Sequence, residues 1–287
     1  MASEAGAPPV SSDKTTGRAP RRLPYWGFAL VVVVYLAIIQ FGGMLAESIG
    51  NVSEDEAMQT TRGVIIGMWI PLGAALLFTY AVVAALGWWR PVLRDDRPVR
   101  RWLIVVPIVL VVAVVLGIDY ADLAQKDVAF ILVLLVATQF VGWGEEGMFR
   151  GIGVTTLRSH GLREWQVALW SSLIFGAVHL SNALTTGLTA VPQALAVSVA
   201  GYFFYLVRRR TGGNVVNSVL HGLFDFSILS GSAILADQGG YIGSLAPIAV
   251  YPVLGLILFV RRRSRSGRRG WHCRSESRSR TGRAAPS

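Results

Sequence analysis

Long runs of apolar residues recur along the chain and are separated by short polar segments. A helix needs about 20 apolar residues to cross roughly 30 Å of hydrocarbon. The pattern therefore predicts an all-α, polytopic membrane helical bundle of about eight transmembrane helices. The predicted spans lie at about 25–45, 63–89, 102–118, 128–143, 164–181, 189–207, 214–234 and 243–260.

Composition supports this prediction. Of the 287 residues, 53% are hydrophobic and only 15% are charged, whereas about 25% of the residues in an ordinary soluble domain are charged. The chain has one cysteine, Cys273, so an internal disulfide is excluded.

The net charge of +10 lies mostly in alternate loops. Arginines concentrate before the first predicted span, after the second, between the fourth and fifth, between the sixth and seventh, and after the eighth. Because positive loops stay in the cytosol, this asymmetry predicts a multi-pass protein of the plasma membrane with both termini cytosolic. The positive charge is thus explained by orientation, and no nucleic-acid partner is expected.

The two ends of the chain differ from its middle. Residues 1–23 are rich in Ala, Pro and Ser, and residues 261–287 are rich in Arg and Ser. Neither can bury a core, so we predict a disordered cytosolic N-terminus and a disordered basic cytosolic tail around a transmembrane domain at 24–260. The basic tail suits anionic membrane lipid.

Ionisable residues at membrane depth are costly and therefore indicate function. The first group is Glu145, Glu146 and Arg150, at the end of the fourth predicted span. Glu146 and Arg150 are four residues apart and share a helix face, while adjacent residues point about 100° apart. Arg150 can therefore hold Glu146 and leave Glu145 free for chemistry. An interfacial salt bridge without function is the alternative.

The second group is Phe175 and His179 in the fifth span, and the third is His221 and Asp225 in the seventh. A lone histidine on an apolar helix is more often a packing residue than a catalyst. His221 and Asp225 are four residues apart, so the carboxylate could fix the imidazole tautomer or ligate a metal. A buried pair that satisfies only itself is the alternative.

The three groups can meet in space. Glu145 and His179 lie at nearly equal sequence distances from the turn at Gly161, so an antiparallel helix pair places them at nearly the same height. If the helix after Glu146 protrudes into the cytosol, one cytosol-facing cavity is lined by two acids, two histidines and an aspartate: Glu145, Glu146, His179, His221 and Asp225.

In this order the motifs resemble those of the CPBP, or Abi, family of intramembrane metalloproteases, which includes the type II CAAX prenyl endopeptidases. The family patterns are E-E-x-x-x-R, F-x-x-x-H and H-x-x-x-N/D, and the resemblance covers about 125–235. It implies that Glu145 is a general base, that His179 holds water or a metal, and that His221 and Asp225 complete the site. The prenyl endopeptidases have Asn where Asp225 stands, and an ionised Asp cannot donate a hydrogen bond.

The resemblance implies an endopeptidase acting on a lipid-anchored or membrane-embedded peptide. Glu146 belongs to the predicted catalytic set, and Arg150 and Phe175 support it. A divalent metal such as zinc could be held by Glu145, His179, His221 and Asp225, because imidazole and carboxylate suit it; a metal-free mechanism stays open.

Two non-enzymatic alternatives also stay open: a membrane scaffold or bacteriocin-immunity protein, and a proton-coupled transporter. The sequence lacks the repeat of broken helices that many transporters show.

Overall fold

The computed structural model describes residues 22–234 and 241–280, and this part of the chain is helical without β-strands. Eight helices of more than ten residues lie in it. They are α1 (Tyr25–Gly50), α2 (Thr61–Leu86), α3 (Arg101–Gly117), α4 (Val128–Ser159), α5 (Glu164–Val178), α6 (Ala190–Thr211), α7 (Asn214–Ile234) and α8 (Ala246–Arg280).

Five helical runs in the described residues are long and apolar enough to cross a membrane, and α3 is a shorter apolar helix. One run, Glu164–Thr211, has 48 residues and contains both α5 and α6. These two helices pack against each other, and the chain turns back between them in the connection at 179–189, where Gly187 adopts a φ of 61°. The predicted all-α membrane bundle is confirmed, and the number of eight membrane spans stays a prediction.

The predicted disordered ends stay predictions. Residues 1–21 and 281–287 lie outside the described residues, and α8 continues beyond the predicted end of the last span at 260.

Helices α4 and α7 form the central pair of the bundle. Helix α2 packs on α4, α6 packs on α5 and α7, and α3 contacts α7 and α8. The α4–α7 crossing is close because Gly142 lies at it: a Cβ on Gly142 would meet the backbone of Ser218 and Gly222. Small residues allow such approaches between membrane helices.

Helix α4 changes its geometry at the first motif. Its α-helical part ends at Glu145, and residues Glu146–Gly153 form a π-helical stretch before α-helix resumes at Val154. All eight residues of the stretch are buried. Because π-helical insertions are rare and are frequently found at functional sites, this stretch supports a functional role for the motif.

One end of the bundle is closed by a group of ion pairs that we call the arginine cluster: Asp95, Arg158, Glu164, Arg208 and Arg209. The buried Asp95 carboxylate lies 2.9 Å from Arg158, 3.3 Å from Arg208 and 3.6 Å from Arg209. Its backbone N–H donates to the carbonyl of Gly212, between α6 and α7. The cluster therefore ties the α2–α3 connection to the ends of α4, α5 and α6.

Candidate active site

The carboxylate of Glu146 is fully buried and has three partners. The Arg150 guanidinium lies 3.3 Å from it, as the four-residue spacing predicts. Nδ1 of His221 donates a 2.8 Å hydrogen bond to Oε1, and the Asn217 amide donates to Oε2. Asn214 donates to the backbone carbonyl of Glu146 at 2.6 Å. These bonds join α4 to α7 and leave Glu146 with no direct access to a substrate.

Arg150 is also fully buried, and its guanidinium carbon lies 3.8 Å from the centre of the Phe175 ring. A guanidinium stacks well on an aromatic face. Phe175 therefore holds Arg150 from the α5 side, while Arg150 compensates the charge of Glu146. This geometry agrees with the supporting roles predicted for Arg150 and Phe175.

The imidazole of His221 lies between carboxylates on both of its sides. Nδ1 is bonded to Glu146, whereas Nε2 lies 3.7 Å from Oε2 of Glu145 and 3.5 Å from Oδ2 of Asp225. The ring stacks on Phe204, with 4.4 Å between centroids. The sequence predicted that Asp225 either orients His221 or ligates a metal. In the structure, Glu146 makes the orienting hydrogen bond, because the α4–α7 crossing brings it to Nδ1.

Glu145 points in a different direction from Glu146, as the 100° offset predicts. Its side chain is 16% exposed, against 0% for Glu146, and it lines a cavity. Of the two adjacent glutamates, Glu145 alone meets the cavity, so it is the one available for chemistry.

His179 lines the same cavity from the end of α5. Its Nδ1 lies 2.8 Å from the Phe175 carbonyl. A carbonyl oxygen only accepts, so Nδ1 carries the proton in this bond. A neutral His179 then has an unprotonated Nε2, which can accept a proton or a hydrogen bond from water.

The cavity, which we call the motif cavity, has a volume of about 990 Å³. Glu145, His179, His221 and Asp225 are the carboxylates and imidazoles of its wall, and most of the remaining wall is apolar. The sequence predicted that five residues line one site: Glu145, Glu146, His179, His221 and Asp225. The structure brings four of them to the cavity, whereas Glu146 is buried and does not line it.

The motif cavity extends away from the arginine cluster. Its wall includes Asn182 and Gln193 near the α5–α6 connection, and Tyr241 and Ser244 before α8. It also includes exposed residues of α6 and α8, such as Val199 and Ile248. The arginine-rich loops contribute no residue to the wall as described. The cavity therefore reaches the end of the bundle opposite the arginine cluster, and also the lipid-facing side between α6 and α8. That the site faces the cytosol stays a prediction.

The predicted metal ligands, Glu145, His179, His221 and Asp225, all line the motif cavity. Glu145, His221 and Asp225 supply oxygen and nitrogen donors that suit divalent ions. Within residues 22–234 and 241–280, however, no group of three or more His, Cys, Asp or Glu residues has a metal-holding arrangement. The donors as placed do not fit a metal ion, so the steps proposed below use the side chains alone, and metal dependence stays a prediction.

Asn214 and Asn217 are site residues that were not predicted from the sequence. They precede His221 on α7 by seven and four residues, so all three share one helix face. This polar stripe on an otherwise apolar helix was the available signal, and it indicated that α7 meets a polar group on a neighbouring helix. The polar wall residues Asn182, Gln193 and Tyr251 gave no comparable pattern.

Part of the chain matches the model of a known protein family. Residues 127–227 match the family model described as type II CAAX prenyl endopeptidase Rce1-like. The matched segment begins just before α4, ends within α7 and contains all three motifs. No curated protein and no solved structure matches the chain significantly. Over residues 127–227 the chain is therefore similar to the type II CAAX prenyl endopeptidases, and its membrane bundle agrees with this similarity.

Proposed function

We propose that the chain is an intramembrane endopeptidase in which Glu145 activates the water that attacks the peptide bond. One observation carries this assignment. Glu146 is fully engaged by Arg150, Asn217 and His221, while Glu145 lines the motif cavity 3.7 Å from the same imidazole. One glutamate therefore holds the site, and the other can react.

In the proposed reaction, Glu145 takes a proton from a water molecule beside it, and the oxygen of that water attacks the scissile carbonyl carbon. The carbon–nitrogen bond then breaks, and Glu145 returns the proton to the leaving amine. The products are a carboxylic acid and an amine. A positioned general base of this kind contributes about 10²–10⁴-fold to the rate.

His221 serves the developing oxyanion. Glu146 accepts its Nδ1 proton and stabilises a positive ring, as a carboxylate does in a carboxylate–histidine pair. The carboxylates of Glu145 and Asp225 both lie near Nε2 and can only accept, so they favour a proton on that nitrogen. His221 can then donate Nε2–H to the oxyanion. The role of Asp225 is to keep the His221 ring positively charged. An ionised carboxylate can do this because the role requires an acceptor and no hydrogen-bond donor.

His179 orients the attacking water. Its Nδ1–H is held by the Phe175 carbonyl, so Nε2 accepts a hydrogen bond from the water and directs a lone pair of the water oxygen towards the substrate.

The apolar wall of the motif cavity fits a lipid-anchored or membrane-embedded peptide, with membrane lipid around the exposed faces of α6 and α8. The arginine-rich loops favour cytosolic termini in the plasma membrane.

The test is hydrolysis of quenched fluorescent membrane peptides, including a prenylated CAAX peptide, by the purified protein in lipid nanodiscs. Wild type is compared with Glu145→Gln and His179→Ala, each with and without a chelator. Glu56→Gln is the matched control, because Glu56 lies in the α1–α2 connection outside the motif cavity. We expect Glu145→Gln to lose at least 100-fold in kcat and Glu56→Gln to keep the wild-type rate.

Full activity of Glu145→Gln would refute the assignment of the base. Loss of wild-type activity with the chelator would establish a metal-dependent mechanism. Proton flux in liposomes that requires Glu145, without hydrolysis, would favour the transporter alternative. An unchanged cellular effect of a Glu145→Gln, His179→Ala double variant would favour a scaffold.

A further inference from the structure

A second polar site lies in the wall of the motif cavity, away from the catalytic residues. It is a chain of three side-chain amides from α1, the α5–α6 connection and α6. Nε2 of Gln40 donates to Oδ1 of Asn182 at 3.1 Å, and Nδ2 of Asn182 donates to Oε1 of Gln193 at 3.0 Å. Gln40 also donates to the Ser181 hydroxyl at 3.1 Å. The chain therefore runs in one direction and ends at Gln193.

The end of this chain is a hydrogen-bond donor. The Gln193 oxygen accepts from Asn182, and its Nε2 makes no side-chain or backbone hydrogen bond within the described part of the protein. Successive hydrogen bonds polarise one another, so the donors at Gln193 are strengthened by the two bonds behind them. Asn182 and Gln193 both line the motif cavity. The site is built to receive an acceptor oxygen.

The spacing between His179 and Asn182, the middle amide of the chain, matches an extended peptide. His179 and Asn182 begin and end one 3₁₀ turn, His179–Asn182. Side chains three residues apart in a 3₁₀ helix are eclipsed, and the rise of about 2.0 Å per residue separates them by about 6 Å along the axis. An extended peptide rises about 3.3 Å per residue. Two peptide residues therefore span the distance from the catalytic position to the amide chain.

We propose that the Gln40–Asn182–Gln193 chain is a substrate-binding site for an extended peptide. Gln193 donates a hydrogen bond to the main-chain carbonyl two residues from the scissile bond. The inference rests on the proposed function for the position of the scissile bond, but the binding itself does not require cleavage. Because the contact is to the backbone, it selects an extended conformation and accepts different side chains.

The experiment measures binding apart from hydrolysis. A fluorescent peptide, extended well beyond the scissile bond at both ends, is titrated into the Glu145→Gln variant in nanodiscs. A second peptide carries an ester in place of the amide whose carbonyl lies two residues from the scissile bond, since an ester carbonyl is a weaker acceptor. The ester peptide is made in two versions, one with the ester on the N-terminal side of the scissile bond and one with it on the C-terminal side.

Gln193→Met keeps the length of the side chain and removes the donor. Gln125→Met is the matched control, because Gln125 lies in the α3–α4 connection and bonds locally to Ala121 and Asp122. We expect Gln193→Met to raise the Kd of the amide peptide about three- to tenfold, the range of one hydrogen bond. The preference for amide over one of the ester peptides should disappear in this variant and persist in Gln125→Met.

The result that overturns the inference is an equal amide-to-ester preference in Gln193→Met and its parent. Asn182→Ala provides a second measurement, since it cuts the chain while leaving Gln193 in place, and it should reduce the preference partly. If peptides bind with this preference but wild type cleaves nothing, the proposed function fails and the binding site stands. If wild type cleaves and the preference does not depend on Gln193, the binding site alone fails.

Discussion

Replacing Gly142 by alanine should separate the two helices that assemble the site. The new Cβ would lie 2.5 Å from the backbone nitrogen of Gly222 and 3.0 Å from its Cα, and closer still to the carbonyl oxygen of Ser218. Ordinary contacts of a Cβ begin at 3.4 Å. The obstacle is backbone and cannot rotate away, so α4 must move from α7 by about 1 Å.

This movement acts directly on the catalytic residues, because Glu145 and Glu146 follow Gly142 within one turn of α4. The 2.8 Å hydrogen bond from His221 to Glu146 would lengthen beyond the normal range of about 2.7–3.2 Å. A misplacement of about 1 Å costs roughly 100-fold in rate. Overpacking costs about 1–3 kcal/mol of stability. We expect Gly142→Ala to lose about 100-fold in kcat and to unfold at a lower temperature.

Gly73→Ala is the matched control, since it makes the same chemical change inside another helix of the bundle. Its Cβ would lie 3.6 Å from the Phe140 ring, which is an ordinary contact. Alanine favours a helix over glycine by up to about 1 kcal/mol, so this variant should be as active as wild type and at least as stable. Peptide hydrolysis and thermal unfolding in detergent measure both effects. Equal rates and equal melting temperatures for the two variants would refute the close-packing argument.

Three further predictions concern other parts of the molecule. Asp95→Asn should lower the free energy of unfolding by about 3 kcal/mol, since it leaves buried arginines without their shared carboxylate. The control Asp96→Asn, at a side chain that is 73% exposed, should change it by less than about 0.5 kcal/mol. Equal effects of the two variants in chemical unfolding would contradict this prediction. Asn217→Ala should cost about 2 kcal/mol, because it removes a donor to buried Glu146, and about tenfold in kcat; unchanged kinetics would argue against a positioning role. A Ser244→Cys variant, with Cys273 replaced by serine, should react with a membrane-impermeant thiol reagent added outside intact cells. Labelling that requires lysis would mean that the protein has the opposite orientation in the membrane.

The helices could be predicted from the sequence because the apolar runs are long and their ends carry clear signals. Gly161 and Gly212, for example, adopt positive φ at the ends of α4 and α6. The Glu146–Arg150 pair followed from helix periodicity alone. These features are local, so the spacing of residues within one helix determines them.

The remaining features depend on the register between helices, which the sequence of one helix does not contain. From the sequence, the Nδ1–H of His221 could be hydrogen-bonded to Asp225 or to Glu146. Only the register of the α4–α7 crossing places Glu146 at this nitrogen. The amide chain likewise joins Gln40 to Asn182, residues 142 positions apart. Hydropathy gave no signal for it, because a single glutamine in an apolar run does not change the predicted helix.

The arginine cluster has a consequence for the order of events in catalysis. Since it closes one end of the bundle and contributes nothing to the wall of the motif cavity, the proposed peptide substrate and its fragments must pass through the openings at the opposite end and between α6 and α8. A fragment that is still in the cavity blocks the next substrate molecule. We therefore expect competitive product inhibition, strongest for the fragment that keeps the lipid anchor, and a turnover limited by the escape of that fragment into the bilayer.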